Sequence, residues 1–244
     1  VLKAFAITDV GRKRQLNEDF VCAKTEKVGA MPNFFIIADG MGGHKAGERA
    51  SKETVEIMLD SLSKSENPNL KEDLEDALKA ANLKVFQDAS KSEELEGMGT
   101  TVVAATILGT KLTAMNVGDS RLYVISQGEI RQITMDHSLV EEMVRKGVLP
   151  REKARNHPKK NIITRAVGVS PIVEPDFFEV ELKAGDKVLM CSDGLSNMLE
   201  DEELRGIADS IGSLEEKAKL MIDAANVNGG KDNISVILIE IPAE

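Results

Sequence analysis

The sequence predicts an α+β protein whose helices lie outside antiparallel sheets. Three observations carry that class. Between Gly97 and Thr134, four short β-rich runs are joined by tight turns, which fits a meander better than a series of βαβ crossovers. Apolar stripes at helical spacing come in pairs, one pair before the meander and one near the C-terminus. Strand-like runs stand at both ends, with no repeat and no flexible linker between them, so one domain over 1–244 is expected.

In chain order, 2–8 and 19–25 read as strands on either side of a charged turn at 11–18. A buried-type strand at 33–38 ends at Asp39-Gly40, where Gly's conformational freedom and Asp's tolerance of bends favour a turn. A helix is expected over 46–62, with Ala50, Thr54, Ile57, Met58 and Ser61 on its inner face. A polar connection, 63–69, holds Pro68 and leads to a second helix over 70–90, striped by Leu74, Ala77, Leu78, Ala81 and Val85. The meander runs are 100–107, 111–117, 121–126 and 129–133. Ser138 and Glu141 have the spacing of a capping box. They open 139–165, a charged stretch with Pro150 and Pro158 that reads as short helices and loops inserted over the surface. Strands return at 173–182, where Phe178, Val180 and Leu182 alternate with Glu179 and Glu181, and at 187–192, which ends at Asp193-Gly194. Helices follow at 201–210 and 214–226, the second lined by Leu214, Ala218, Met221, Ile222 and Ala225. Gly229-Gly230-Lys231-Asp232 then leads into a final strand, 233–241.

Composition narrows the function classes. With 31 basic and 41 acidic residues the formal charge is −10, spread along the chain, which argues against nucleic acid or an anionic membrane surface as partner. The first residues lack signal-peptide anatomy, and no apolar run approaches the roughly 20 residues that span a bilayer. A cytoplasmic location is expected. Cys22 and Cys191 form no CxxC pair, and His44, His137 and His157 are scattered, so neither a disulfide framework nor a zinc site is indicated.

Acidic residues recur at the ends of the strands. Phe35-Ile36-Ile37-Ala38-Asp39-Gly40 and Leu189-Met190-Cys191-Ser192-Asp193-Gly194 share one pattern: an apolar run, one small residue, then Asp-Gly. Asp232 stands just before the last strand, Asp119 between two central runs, and Asn17-Glu18-Asp19 before the second strand. If these ends converge, their like charges call for a cation. Carboxylates without a Cys/His cluster suit hard ions such as Mg²⁺ or Mn²⁺. Two such ions a few ångströms apart can activate a water for in-line attack on phosphorus. Arg14 then has two readings: a phosphate clamp whose planar fork grips two oxygens, or one more charge in Arg12-Lys13-Arg14.

Rival chemistries fail on residue identity. Glu48 stands where a P-loop would place its lysine, and the dinucleotide fingerprint is incomplete. A cysteine phosphatase needs arginine six residues after its nucleophile, and those positions hold Asn197 and Val28. No G-x-S-x-G elbow occurs. His137 and Ser138 read as a helix start rather than a nucleophilic pair.

Together these residues resemble the PPM-type, metal-dependent serine/threonine protein phosphatases, also called type 2C, in their short bacterial form. The runs that carry the resemblance span nearly the whole chain: Arg14-Gln15-Leu16-Asn17-Glu18-Asp19, Ala38-Asp39-Gly40-Met41-Gly42-Gly43-His44 and Gly97-Met98-Gly99-Thr100-Thr101. They continue with Gly118-Asp119-Ser120-Arg121, Asp136-His137-Ser138, Cys191-Ser192-Asp193-Gly194-Leu195 and Gly229-Gly230-Lys231-Asp232-Asn233.

The resemblance implies a four-layer α/β/β/α sandwich, two antiparallel sheets flanked by helix pairs, with the metals at one end of the sheets. It implies that Asp39 bridges two Mn²⁺ or Mg²⁺ ions and that the Gly40 carbonyl ligates one of them. Asp193 and Asp232 complete the first ion's set, Glu18 and Asp19 serve the second directly or through waters, and a third, weaker ion touches Asp119. Arg14 matches the phosphate-contacting arginine, and 139–165 matches a mobile flap where substrate is selected. The implied activity is hydrolysis of phosphoserine and phosphothreonine by a metal-bridging water, with no phosphoenzyme. The implied partners are phosphorylated proteins, including a bacterial Ser/Thr kinase and its substrates, and a monomer is expected. One departure stands out. Animal members place a histidine, a proposed general acid, directly after the bridging Asp-Gly; here that residue is Met41, and the role does not pass to His44. A water on the third ion is the alternative proton source. The competing readings are a catalytically silent binding domain of the same fold, and a metallophosphatase for small phosphoesters or one dedicated phosphoprotein.

Overall fold

The computed structural model describes residues 2–43, 46–91, 93–95 and 97–242. His44 lies outside them. Eleven strands and seven α-helices are present among the described residues. The first half comprises β1 (Lys3–Asp9), β2 (Asp19–Lys24), β3 (Phe34–Met41), α1 (Ala46–Lys64), α2 (Leu70–Ala89), β4 (Gly99–Thr100), β5 (Val102–Leu108) and β6 (Lys111–Val117). It is followed by β7 (Arg121–Ser126), β8 (Glu129–Gln132), α3 (Leu139–Arg145), α4 (Arg151–Ala154) and β9 (Asp176–Glu181). The chain ends with β10 (Lys187–Cys191), α5 (Asp193–Ser196), α6 (Asp201–Ala208), α7 (Leu214–Val227) and β11 (Ile234–Glu240).

The strands form two antiparallel sheets, ordered β1-β11-β10-β7-β8 and β2-β3-β5-β6-β9, with the short β4 paired to β3. Alternation along each strand divides the core into layers. Phe34, Ile36 and Ala38 pack against Val55, Met58, Leu74 and Leu78 of α1 and α2. Their neighbours Phe35 and Ile37 face the other way, joining Val103, Leu122, Met190 and Ile237 between the two sheets. On the far side Leu189, Val236 and Leu238 pack under Leu204, Ala218, Met221 and Ile222. The result is the predicted order of helices, sheet, sheet, helices.

Several local expectations are corrected. The β3 ladder does not stop before Asp39-Gly40 but runs through it, with Asp39 opposite Asp19 and Gly40 opposite Thr100. Gly40 therefore serves close approach rather than a bend: a Cβ there would stand 2.1 Å from the Gly47 carbonyl oxygen and 2.6 Å from that of Glu18. Asp193-Gly194 likewise is not a simple turn, since Asp193 begins the one-turn helix α5. Only half of the Ser138–Glu141 capping box forms. The Ser138 hydroxyl accepts the Glu141 N–H, but the Glu141 carboxylate is held by Arg151 instead. In α1 the buried face runs through Ser51, Val55 and Leu62, leaving Ile57 and Ser61 at its margin. Strand β9 starts at Asp176, not at 173, because Pro175 offers no N–H to a ladder.

Candidate active site

Extending the alternation to one end of the sheets locates the site. The rows that face between the sheets are apolar along their length, and each ends in a polar residue. Phe35 and Ile37 lead to Asp39, Val21 and Ala23 to Asp19, Val103 and Ala105 to Thr101, and Leu122 and Val124 to Ser120. Val188 and Met190 lead to Ser192, and Ile237 and Ile239 to Ser235. The hydrophobic sandwich thus has a polar end, and hydrogen bonds there join the two sheets. Ser192 Oγ and Ser235 Oγ both donate to Asp19 Oδ2, at 2.7 and 2.6 Å. Thr101 Oγ1 and Ser120 Oγ share a bond of 2.8 Å.

At this end seven of the eight predicted residues line one cleft of about 330 Å³: Arg14, Glu18, Asp39, Gly40, Asp119, Asp193 and Asp232. Asp39 is fixed through its main chain, its N–H donating to Thr101 Oγ1 at 3.0 Å and its carbonyl accepting from Thr100 Oγ1 at 2.9 Å. Burial pushes its carboxyl well above the usual range, and Asp19, Asp193 and Asp119 add to the effect. Asp193 Oδ2 accepts from Asn197 Nδ2 at 2.9 Å, and burial followed by Asp232 lifts its carboxyl to about 6. Burial, then Asp193 and Asp136, raises Asp119 well above its ordinary value. Glu18 is raised too, chiefly by burial, with Arg14 opposing. Asp19 is the eighth residue. It stands behind the cleft wall, anchored by the two serines, and burial carries it to about 7.

Arg14 reaches over this cleft half-exposed, its Nη2 2.8 Å from Asp232 Oδ2 and its Nη1 3.6 Å from Glu18 Oε2. The guanidinium sits at the rim of the acidic cleft, where the clamp reading requires it.

The donor set fits hard divalent cations. Among the described residues Glu18 Oε1, Asp19 Oδ1 and Asp193 Oδ1 are buried oxygens without a hydrogen-bond partner, a costly arrangement unless a cation compensates it. Among the described residues no three His, Cys, Asp or Glu side chains close into a ready-made cage. Mutually repelling carboxylates do not collapse on one another, and Arg14 draws Asp232 and Glu18 toward itself. Oxygen donors spread around a cleft of this size match ions that keep several waters.

The residues that support this geometry were missed in the sequence. Asn233, almost fully buried, accepts the Glu18 N–H at 2.8 Å and donates to the carbonyls of Val10 and Leu16, both at 2.9 Å. It ties the loop carrying Arg14 and Glu18 to the start of β11. Ser192, Ser235, Thr101 and Ser120 were legible in principle as the next step of each inter-sheet row. Lys160, Asn161 and Ile163 come from the 139–165 segment. Lys160 Nζ donates to Asn197 Oδ1 at 2.9 Å, and the other two line the cleft. A second cleft of about 410 Å³ adjoins the first, shares Asp119 and Asp193, and runs between this segment and α5–α6.

Comparison with known proteins identifies the family of this chain. A family model described as Protein phosphatase 2C matches residues 11–235. The serine/threonine phosphatase stp of Listeria welshimeri is 42% identical over 242 residues, covering 96% of this chain and 93% of that protein. The solved structure of the Streptococcus agalactiae serine/threonine phosphatase superposes with a TM-score of 0.92 at 37% identity, over 99% of this chain and 100% of that one. The catalytic domain of the serine/threonine phosphatase PstP, solved in complex with two manganese ions, gives a TM-score of 0.87 at 34% identity, over 99% of this chain and 98% of that one. The chain belongs to the protein phosphatase 2C family.

Proposed function

We infer that this protein is a metal-dependent serine/threonine phosphatase that removes phosphate from phosphoserine and phosphothreonine in proteins. The observation that carries the reading is the convergence of Asp39, Asp119, Asp193, Asp232 and Glu18 from separate strand ends onto one cleft with Arg14 at its rim. A catalytically silent domain has no use for five carboxylates held together against their own repulsion.

Asp39, Gly40, Asp193, Asp232 and Glu18 would hold two Mn²⁺ or Mg²⁺ ions, with Asp19 fixing the wall behind them and Asp119 taking a third. When bound, such ions supply positive charge for the phosphate oxygens and an activated water for in-line attack. The chain's own residues do the rest. Asp39, pinned by Thr100 and Thr101, sets the centre of the site. Arg14 offers its fork to the phosphate, exchanging Asp232 for phosphate oxygens. Residues 139–165 act as a flap within one domain spanning 1–244, and the 410 Å³ cleft beneath them receives the polypeptide that carries the phosphate. The partners are phosphoproteins, among them a Ser/Thr kinase and its substrates, met by a cytoplasmic monomer. Among the described residues no helix is long and apolar enough to cross a membrane.

The test is phosphopeptide hydrolysis with Mn²⁺, with chelator, and by Asp193→Asn. Turnover is expected only for the wild type with Mn²⁺. Phosphate release that survives both chelator and substitution would rule out the metal reading, and no release from any phosphopeptide would revive the silent-domain reading.

A further inference from the structure

The Asp136-His137-Ser138 motif has so far no part in the chemistry, yet His137 occupies a junction. Its side chain is buried, 7% exposed, where the turn carrying Asp119 meets the base of the 139–165 segment. The Gly118 N–H donates to His137 Nδ1 at 3.0 Å, and the His137 N–H donates back to the Gly118 carbonyl at 2.8 Å. Gly118 is thus held from both sides by one residue. On the other side of the ring, Nε2 lies 3.1 Å from Asp176 Oδ2 and 3.2 Å from Arg165 Nη1, which itself donates to Asp176 Oδ1 at 2.9 Å. An imidazole whose Nδ1 accepts a hydrogen bond carries its single proton on Nε2, where Asp176 receives it. Burial favours that neutral ring, lowering its pKa from the ordinary value.

The backbone at Gly118 leaves little tolerance for error. Its φ of +109° lies in a region that side chains other than glycine rarely adopt, and a Cβ there would stand 2.6 Å from Thr101 Cγ2. Asn116 Nδ2 braces the same carbonyl at 3.1 Å. The turn is therefore defined by what holds Gly118, and the next residue is Asp119. The His137 carbonyl in turn accepts the Thr164 N–H at 2.8 Å, and Ser138 bridges to Ile163, so the holding residue is itself fixed.

We propose that His137 is a positioning residue for Asp119: by accepting the Gly118 N–H at Nδ1 and being oriented by Asp176 at Nε2, it sets the aim of the Asp119 carboxylate into the cleft. This rests on the reading of Asp119 as a cation ligand. The partner that fixes a ligand's orientation contributes to affinity, and removing such a partner typically costs about tenfold or more in metal binding.

Calorimetric titration of Mn²⁺ into metal-free protein tests it, using the wild type, Asp119→Ala, His137→Leu and His137→Asn. Asp119→Ala identifies the binding step that depends on that carboxylate. If it titrates as the wild type does, the ligand reading falls and takes this proposal with it. Given such a step, His137→Leu is expected to weaken it about tenfold, leaving the other steps in place. His137→Asn, whose Oδ1 can replace Nδ1 as acceptor, is expected to restore most of the affinity. Unchanged binding in His137→Leu, or equal loss in the Leu and Asn variants, overturns the proposal while leaving Asp119 a ligand. Nitrogen spectra of the wild-type imidazole give a reading that needs no variant to fold: a proton on Nε2 is expected, and one on Nδ1 overturns the proposal.

Discussion

Asn233→Ala removes more than its position after Asp232 suggests. The wild-type side chain makes three hydrogen bonds of 2.8–2.9 Å, all to the main chain of the 10–18 loop, from a site only 3% exposed. At about 1 kcal/mol net for each, the loss is about 3 kcal/mol. A chain of this length shifts its melting midpoint by roughly 2–4 °C per kcal/mol, so the expected fall is roughly 6–12 °C. Arg14 and Glu18 ride on the released loop, so KM for a phosphopeptide should rise as well. Asn233→Asp keeps the acceptor for the Glu18 N–H but turns both donors into a charge facing two carbonyls, and should be at least as destabilising. Denaturant unfolding of the metal-free proteins measures the first quantity and steady-state kinetics in Mn²⁺ the second. A stability loss below about 1 kcal/mol would refute the tether; a full loss with unchanged KM would refute its link to the site.

Other outcomes follow from the same geometry. Burial lifts Asp19 from its ordinary 3.8 to about 7, so its contribution to stability in chelated protein is complete at low pH and is lost as pH rises through that value. Asp19→Asn should therefore stabilise the chelated protein increasingly from about pH 4 to about pH 7 and by a constant amount above that, and identical pH profiles of melting would contradict this. Gly40→Ala places a Cβ against two main-chain carbonyls that cannot rotate away, so a loss above about 2 kcal/mol is expected from urea unfolding. Arg14→Lys keeps a charge near Asp232 but not the planar fork; phosphopeptide KM should rise while calorimetric Mn²⁺ affinity holds, and an unchanged KM would return Arg14 to the surface-charge reading.

What the sequence revealed, and what it hid, follows from the range of each interaction. Phe178, Val180 and Leu182 against Glu179 and Glu181 declare a strand because alternation is local, and the stripe of α2 is read the same way. The Asp-Gly pairs were visible as chemistry, but their local conformation was misjudged. Nothing near Asp39 announces that Gly99 and Thr100 will extend the ladder past it, and nothing near Asp193 announces a one-turn helix. Asn233 was visible at the end of a motif, but its tethering role was hidden for the same reason, since its partners lie more than 200 positions away.

The polar end of the sandwich is where these two kinds of information meet. The period of two that buries Phe35 and Ile37 between the sheets also aims Asp39 there, so one rule builds both the core and the site. A carboxylate at the end of an apolar row is expelled toward water if it stands alone. Asp19 is not expelled, because hydroxyls from the facing sheet satisfy one of its oxygens. Among the described residues the other oxygen has no partner, nor do Glu18 Oε1 and Asp193 Oδ1. Hydrogen bonds from the protein thus hold this end together only in part, and three buried oxygens from two segments far apart in sequence ask for the same thing, a positive charge in the cleft. That shared demand ties the chemistry to the fold: a substitution that merely loosens the convergence of the strand ends should weaken cation binding without touching a ligand.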